Sequence, residues 1–251
     1  MGGVLTAIAL TPSAPVLVPE LAGTADAEVA GFRDAAVAAA ARLPDRWIAV
    51  GVGAADAVIE PSTMGTFAGY GVDVPVALAP EPPGRRHLAP DPPGRRHLAP
   101  DPPVEVSALP LCALFTGWLR GRANPAARAQ VRVYSAGHDA EEALALGRAL
   151  RAELDGLADP VGVLMVADGA NTLTPPAPGG YDPDAEPVQA ALDDALATGD
   201  TAALAALPDF VVGRVAYQVL AGLAGSGPRS AKELARGAPY GVGYFVGVWT
   251  P

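Results

Sequence analysis

The chain has 251 residues, half of them hydrophobic and 18% charged, with a net charge of −10 and one cysteine, Cys112. That apolar content suits a large buried core in one α/β domain and is not that of a disordered chain. The acidic balance repels phosphate backbones and argues against a nucleic-acid partner, and the lone cysteine excludes an intrachain disulfide, as in a reducing cytoplasm.

The start of the chain lacks a basic segment, and Pro12 interrupts its apolar stretch, so no signal peptide is expected. Residues 4–10 form a short apolar run that ends in Thr-Pro-Ser-Ala-Pro, which predicts a buried strand feeding a loop. Thr24 or Asp26 is the expected cap of an Ala-rich helix that runs to about Leu43 and stops before Pro44. A second buried strand is predicted at 47–53 and a third at 74–78. Residues 81–103 differ from the rest. Glu-Pro-Pro-Gly-Arg-Arg-His-Leu-Ala-Pro is followed by a copy with Asp in first place, then by Asp-Pro-Pro. Proline removes amide donors and fixes φ, so this tandem duplication is expected to be an exposed loop insertion with polyproline character.

Helical composition returns at 106–120, and a strand is predicted at 131–134. Asp139 and Glu142 have capping-box spacing at the start of a helix that carries Leu146, Leu150, Leu154 and Leu157 on one face. Residues 161–167 give the strongest buried-strand signal. A Pro- and Gly-rich loop over 168–184 follows, with Asp182 and Asp184 as expected caps of the next helix. Helices are predicted at about 185–198, 201–206, 209–224 and 230–236. A closing strand at 240–249 would place Tyr240 and Tyr244 on the same side. The longest apolar runs, 161–167 and 240–249, are too short to cross a bilayer.

Strands alternating with helices predict a mixed, mostly parallel central sheet with helices on both faces, in a single domain spanning 1–251. Ligands in such folds sit beyond the carboxyl ends of the strands. Three loops are expected there, at 11–19, 53–65 and 168–180.

Those loops carry a resemblance. Thr-Pro-Ser-Ala-Pro-Val-Leu-Val-Pro at 11–19 resembles the strand followed by Pro-His-x-Pro-x-Leu of the class III extradiol ring-cleavage dioxygenases, subunit-B-like group. Trp-Ile-Ala-Val-Gly-Val-Gly at 47–53 is similar to that family's second strand, which ends in Ser-Pro-His or Ser-Ala-His. Leu-Gly-Arg-Ala-Leu-Arg at 146–151 and Val-Leu-Met-Val-Ala-Asp-Gly at 163–169 resemble its Leu-Gly-x-x-Leu helix and its Val-x-x-Ser-Gly-x-x-x-His strand and loop. Gly-Ala-Pro-Tyr-Gly-Val-Gly-Tyr-Phe-Val-Gly at 237–247 resembles its last strand. The likeness spans nearly the whole chain except 81–103 and is that of a divergent, actinobacterial-type branch.

The resemblance implies an Fe(II) held by two histidines and a carboxylate, with open positions for an aromatic diol and O₂, and a further histidine as acid and base. The sequence departs at those positions. Ser13 stands where the first histidine is expected, and neither 51–55 nor 171–173 contains one. A hydroxyl is a poor iron ligand beside imidazole. The resemblance therefore implies an iron-free relative that retains a small-ligand pocket, with Fe(II) as cofactor only if the family activity is kept.

Asp168 and Ser13 are the candidate catalytic residues, and Asn171, Thr172, Asp56 and Tyr240 the candidate ligand-binding residues. For Asp168, Asn171 and Thr172, a site role and ordinary turn chemistry weigh about equally. Turn chemistry is the better reading of Ser13, which lacks a histidine base in sequence. Core packing is slightly favoured for Tyr240 and Tyr244. His87 and His97 read as duplicated solvated residues rather than a metal pair, His138 as a cap-region residue, and Cys112 as a buried small hydrophobe. Three other readings stay open. One is an active non-haem-iron or other metal-dependent oxidoreductase acting on an aromatic diol through unconventional ligands such as Asp56, Glu60 or Asp168. Another is a metal-independent enzyme that pairs Asp168 with the hydroxyl of Ser13 or Thr172. The third is a scaffold that docks a partner on its Pro/Arg loop. The expected partner is a small molecule, aromatic if the resemblance carries over, with no nucleic acid, no membrane and room for a homo-oligomer.

Overall fold

The computed structural model describes residues 4–80 and 108–251. The duplicated segment at 81–103, and the loop expected there, lie outside the described residues. The central sheet is built from continuous apolar runs. Strand β1 (Leu5–Thr11) buries six of its seven residues, and β7 (Val161–Val166) buries all six. Such strands have no solvent face, so adjacent residues serve opposite sides of the sheet. Ala7, Ala9, Trp47, Ala49, Leu164 and Val166 enter one core cluster. Ile8, Leu10, Ile48, Val50, Val163 and Met165 enter the other.

The strand order is β3-β6-β2-β7-β1-β9-β8, with β2 at Arg46–Gly53, β3 at Ala57–Ile59 and β6 at Arg128–Ser135. β6, β2, β7 and β1 run parallel. The edges are antiparallel: β3 on β6, and β9 (Tyr244–Thr250) between β1 and β8 (Ser230–Gly237). Helices α2 (Asp26–Ala40) and α3 (Leu111–Ala123) supply residues to the first core, after a one-turn α1 (Pro19–Ala22). Helices α4 (Ala140–Asp155), α5 (Ala185–Thr198), α6 (Thr201–Ala205) and α7 (Arg214–Ala224) supply the second. The protein is thus α/β, with a mixed, mostly parallel sheet and helices on both faces.

Local chemistry places several boundaries. Asp139 caps α4, accepting from the Glu142 N–H while the Glu142 carboxylate accepts from the Asp139 N–H, as the spacing predicts. Leu150 and Leu154 are buried under that helix, and Leu146 and Leu157 pack at the edge of the same core. α4 and α7 touch through backbone. A Cβ on Gly147 would lie 2.1 Å from the Val219 carbonyl, and one on Gly222 would lie 2.2 Å from that of Leu144.

Several expectations are corrected. Residues 230–236 form the edge strand β8, not a helix. Their composition suits a helix, but so short a segment is marginal alone, and pairing with β9 from Ser230 to Gly237 outweighs propensity. The strand expected at 74–78 is present as β5 (Pro75–Ala77), though it pairs with β4 (Met64–Thr66) outside the central sheet. α7 starts at Arg214 rather than 209, because 208–213 form a turn: the Val211 N–H bonds Pro208 and the Gly213 N–H bonds Asp168. Neither Thr24 nor Asp26 caps α2; Asp26 lies in its first turn and pairs with Arg33. Asp184 makes no side-chain cap on α5, and the Asp182 carboxylate accepts from the Asp184 N–H instead.

Candidate active site at the carboxyl edge of the sheet

Because β1, β2, β6 and β7 are parallel, the loops that follow them leave from one edge. Asp168 lies just beyond β7, and Ser13 just beyond β1. They meet: the Ser13 N–H donates to Asp168 Oδ1 at 2.8 Å. Ser13 contributes its backbone N–H to this contact, and its hydroxyl makes no hydrogen bond among the described residues.

The segment carrying Asp168 is tied down on several sides. Its carbonyl accepts from the Gly213 N–H at 2.8 Å. Gly169 donates to Gly243 and Gly243 to Ala170, both at 2.8 Å. The Ala170 N–H donates to Gln189 Oε1 at 2.8 Å, and Gln189 Nε2 donates to the buried Asp193. Gly169 and Gly243 leave the room that the Gln189 side chain fills; a Cβ on either would lie within 2.1 Å of its Oε1.

Asp168 keeps part of its surface open, but protein surrounds its carboxyl. Burial pushes its pKa up to about 7, opposed only in part by the Ser13 N–H. Two phenols lie close enough to feel its charge. Tyr217 donates to the Ala167 carbonyl at 2.9 Å. Burial first, and the Asp168 charge second, push both Tyr217 and Tyr244 above the usual phenol range. The sequence carries no sign of Tyr217, since it sits in a helix remote in sequence and only folding brings it under Ala167.

Asn171 and Thr172 continue the same loop. The Thr172 carbonyl accepts from the Asp182 N–H, and the Asn171 carbonyl from that of Gly179. The hydroxyls of Thr172 and Thr174 are buried without a hydrogen-bond partner among the described residues. Such orphaned groups are uncommon. Exposed Phe210 and Val212 flank Val211, which bridges Ala170, and exposed Tyr181 bridges Leu173. The loop therefore has an apolar, partly aromatic rim.

Asp56 is elsewhere on this edge. It accepts from the Ser135 N–H at 2.7 Å and contacts His138 Nε2 at 2.8 Å, while Glu142 lies 3.2 Å from Nδ1. The Ser135 bond, then His138, hold Asp56 below its ordinary value; Asp56 first and Glu142 next raise His138. Arg214 bonds the carbonyls of His138 and Ala136, beside a cavity of about 460 Å³ that His138, Asp209 and Gln218 also line. Gly213 on Asp168 and Arg214 on His138 make the start of α7 the physical link between the two clusters.

Tyr240 does not join them. It precedes β9, in a turn with φ of 57°, and its exposed hydroxyl donates to Glu28 at 2.5 Å. Tyr244, in contrast, is buried at the first position of β9, so the shared face expected for the two fails. Glu60 accepts from Gln130 and is likewise apart from Asp168. Cys112 is buried, and burial pushes its thiol up to about 11, as suits a core residue. It packs where Gly51 has no side chain, since a Cβ there would sit 2.3 Å from its own Cβ.

The described residues do not fit a mononuclear iron centre. His138 is the one histidine among the described residues, and no three His, Cys, Asp or Glu side chains among them are placed to hold a metal. Asp168 spends one oxygen on a peptide N–H, and Asp56 and Glu60 have separate partners. No helix of the described residues is long and apolar enough to cross a membrane.

No family model matches the chain, and no curated protein matches it. Among solved structures it is similar to an uncharacterized protein, JW3007, from Escherichia coli K12. The match has a TM-score of 0.54 at 11% identity and covers 98% of this chain and 100% of that one. At that identity the likeness shows the fold alone.

Proposed function

We propose that this chain is an extradiol-dioxygenase-like protein of the cytoplasm that works without iron and binds a small, partly aromatic ligand at Asp168. The observation that carries the proposal is a carboxyl with a pKa of about 7 at the carboxyl edge of a parallel sheet, held through one oxygen by the Ser13 N–H. Such a group donates a hydrogen bond when protonated and accepts a proton when ionised, so it suits a ligand hydroxyl or carbonyl near neutral pH. Oδ2 has no hydrogen-bond partner among the described residues, which leaves it to the ligand. Tyr181, Phe210 and Val212 would cover an aromatic ring.

The same geometry favours a second reading, metal-independent acid–base catalysis by Asp168, because its pKa sits at the working pH. The test is binding of catechol, phenol and benzoate to EDTA-treated protein, followed by ligand-observed NMR from pH 5.5 to 8.5. We expect saturable binding of at least one probe, a pH dependence centred near 7, and a weakening of about tenfold with loss of that dependence in Asp168→Asn. Binding indifferent to both pH and Asp168→Asn would contradict the proposal. Turnover of a bound probe without metal would select the second reading.

A further inference from the structure

Residues 168–170 carry Asp168 into its loop. Among the described residues they are held by backbone groups of Ser13, Val212, Gly213 and Gly243, and by one side chain, that of Gln189. Gln189 belongs to the buried face of α5, with Ala185, Leu192, Asp193 and Leu196. Apolar residues are the ordinary occupants of such a face, since a buried amide or carboxyl is costly unless its hydrogen bonds are made. Here the bonds are made. Gln189 and Asp193 are four residues apart, so they are neighbours on one side of the helix. Gln189 Oε1 accepts from the Ala170 N–H, and Nε2 donates to Asp193 Oδ1, each at 2.8 Å.

Two glycines make the slot that this amide fills. Gly169 follows β7 and Gly243 precedes β9, and a Cβ on either would lie within 2.1 Å of Gln189 Oε1. Two distant segments thus lack a side chain where one amide enters. Asp193 fixes which way the amide faces. A carboxylate only accepts, so it holds the –NH₂ end and leaves the oxygen to Ala170. Burial pushes the Asp193 carboxyl up to about 6, opposed first by the Gln189 N–H and then by Arg236, while Glu233 and Asp194 add to the rise. The Asp193 charge also acts on Tyr217, which feels Asp168 as well. A polar pair kept on a core-facing helix surface, and aimed at the turn beside Asp168, is a departure from simple packing of the kind that function explains.

We propose that Gln189 is a positioning residue for the Asp168 site: gripped by Asp193, its amide holds the Ala170 N–H and so fixes the turn that sets the Asp168 carboxyl against its ligand. Gln189 is buried in its slot and acts through the turn. The proposal rests on the reading of Asp168 as the ligand-binding group. Without the strap the turn moves and water reaches the carboxyl, which lowers its pKa toward the ordinary carboxylate range. A side chain that merely filled space on α5 would have no such effect.

The test reads the full chain in three ways: the Asp168 titration midpoint by carbon-detected NMR, assigned by its loss in Asp168→Asn; exchange of the Ala170 amide; and binding of benzoate and catechol. Gln189→Met keeps the length of the side chain and loses both bonds. It should lower the Asp168 midpoint by about one pH unit or more and weaken the bound probe about tenfold. Gln189→Glu, once ionised, sets two carboxylates face to face, so it should speed Ala170 exchange and weaken the probe alike. Asp193→Asn keeps an acceptor for Nε2 and should leave exchange and binding near those of the parent. The double variant Gln189→Glu with Asp193→Asn should recover both, because the new carboxylate accepts from Ala170 and from the amide that replaces Asp193. Val188→Ala, on α5 but outside the strap, should leave all three readouts in place. If Gln189→Met does not fold, the single and double Gln189→Glu proteins carry the test. An Asp168 midpoint unmoved by Gln189→Met would overturn the proposal. So would a double variant no better than Gln189→Glu, or equal changes in Val188→Ala. Probes that bind none of the proteins, with midpoint and exchange responding as stated, would instead sink the ligand reading of Asp168 and support Gln189 as the residue that places it.

Discussion

Asp168 concentrates the opposing demands on this fold. Its carboxyl is raised by burial to about 7, so the folded state holds a proton that the unfolded chain, near 3.8, has released. The linked stability is fully present below the unfolded value and is lost as pH rises through about 7. Asp168→Asn keeps an acceptor for the Ser13 N–H and cannot ionise. It is therefore expected to raise stability at pH 8 by on the order of 2 kcal/mol, allowing for partial solvent access, and to change little at pH 4. Urea melts of both proteins at the two pH values measure this; equal stabilities at pH 8 would contradict it. A buried ionisable residue that weakens the fold near neutral pH is the pattern expected of a site. The His138 cluster runs partly in the other sense. The folded imidazole titrates above 6.5, so its contribution is whole below that value and fades as pH rises through the folded pKa. Asp56, held below 3.8, adds stability above that value and loses it as pH falls through its folded pKa. NMR titration of the His138 ring should show the raised pKa, and Asp56→Asn should bring it down toward 6.5. A ring that titrates alike in both proteins would show the contact to be inert.

At the scale of elements, the pairing of α4 with α7 carries the clearest demand. Gly147→Ala would set a methyl 2.1 Å from the Val219 carbonyl and 2.8 Å from the Leu223 N–H. Backbone cannot swing aside as a side chain does, so the helices must separate, at a cost of about 1–3 kcal/mol. Gly121→Ala in α3 meets nothing within 4 Å and should be neutral or stabilising by up to about 1 kcal/mol. Thermal melts of the two variants separate close approach from helix propensity; a Gly147→Ala protein as stable as the parent would refute the packing argument. Elements with continuous apolar runs or a complete cap were legible in the sequence. β7 and the start of α4 stand where pattern and spacing put them. β8 was not legible, because its residues suit a short helix and only pairing with β9 decides otherwise. The break of α7 at Gly213 also escaped, since the bond from its N–H to Asp168 is long-range.

For the whole molecule, the alternation of strands and helices was enough to predict the mixed, mostly parallel sheet and the edge where the loops gather. It was enough to bring Ser13 to Asp168, but not to separate Asp56 from them, because sequence gives the edge of a sheet and not the position along it. What the molecule does rests on whether the carboxyl edge works through Asp168 alone or through a metal. Iron content per chain after anaerobic purification and Fe(II) loading, measured by plasma mass spectrometry alongside oxygen uptake with catechol, decides between them. A site built on Asp168 should retain well under one iron per chain and consume no oxygen. One tightly held iron per chain, with ring cleavage that Asp168→Asn abolishes, would contradict it.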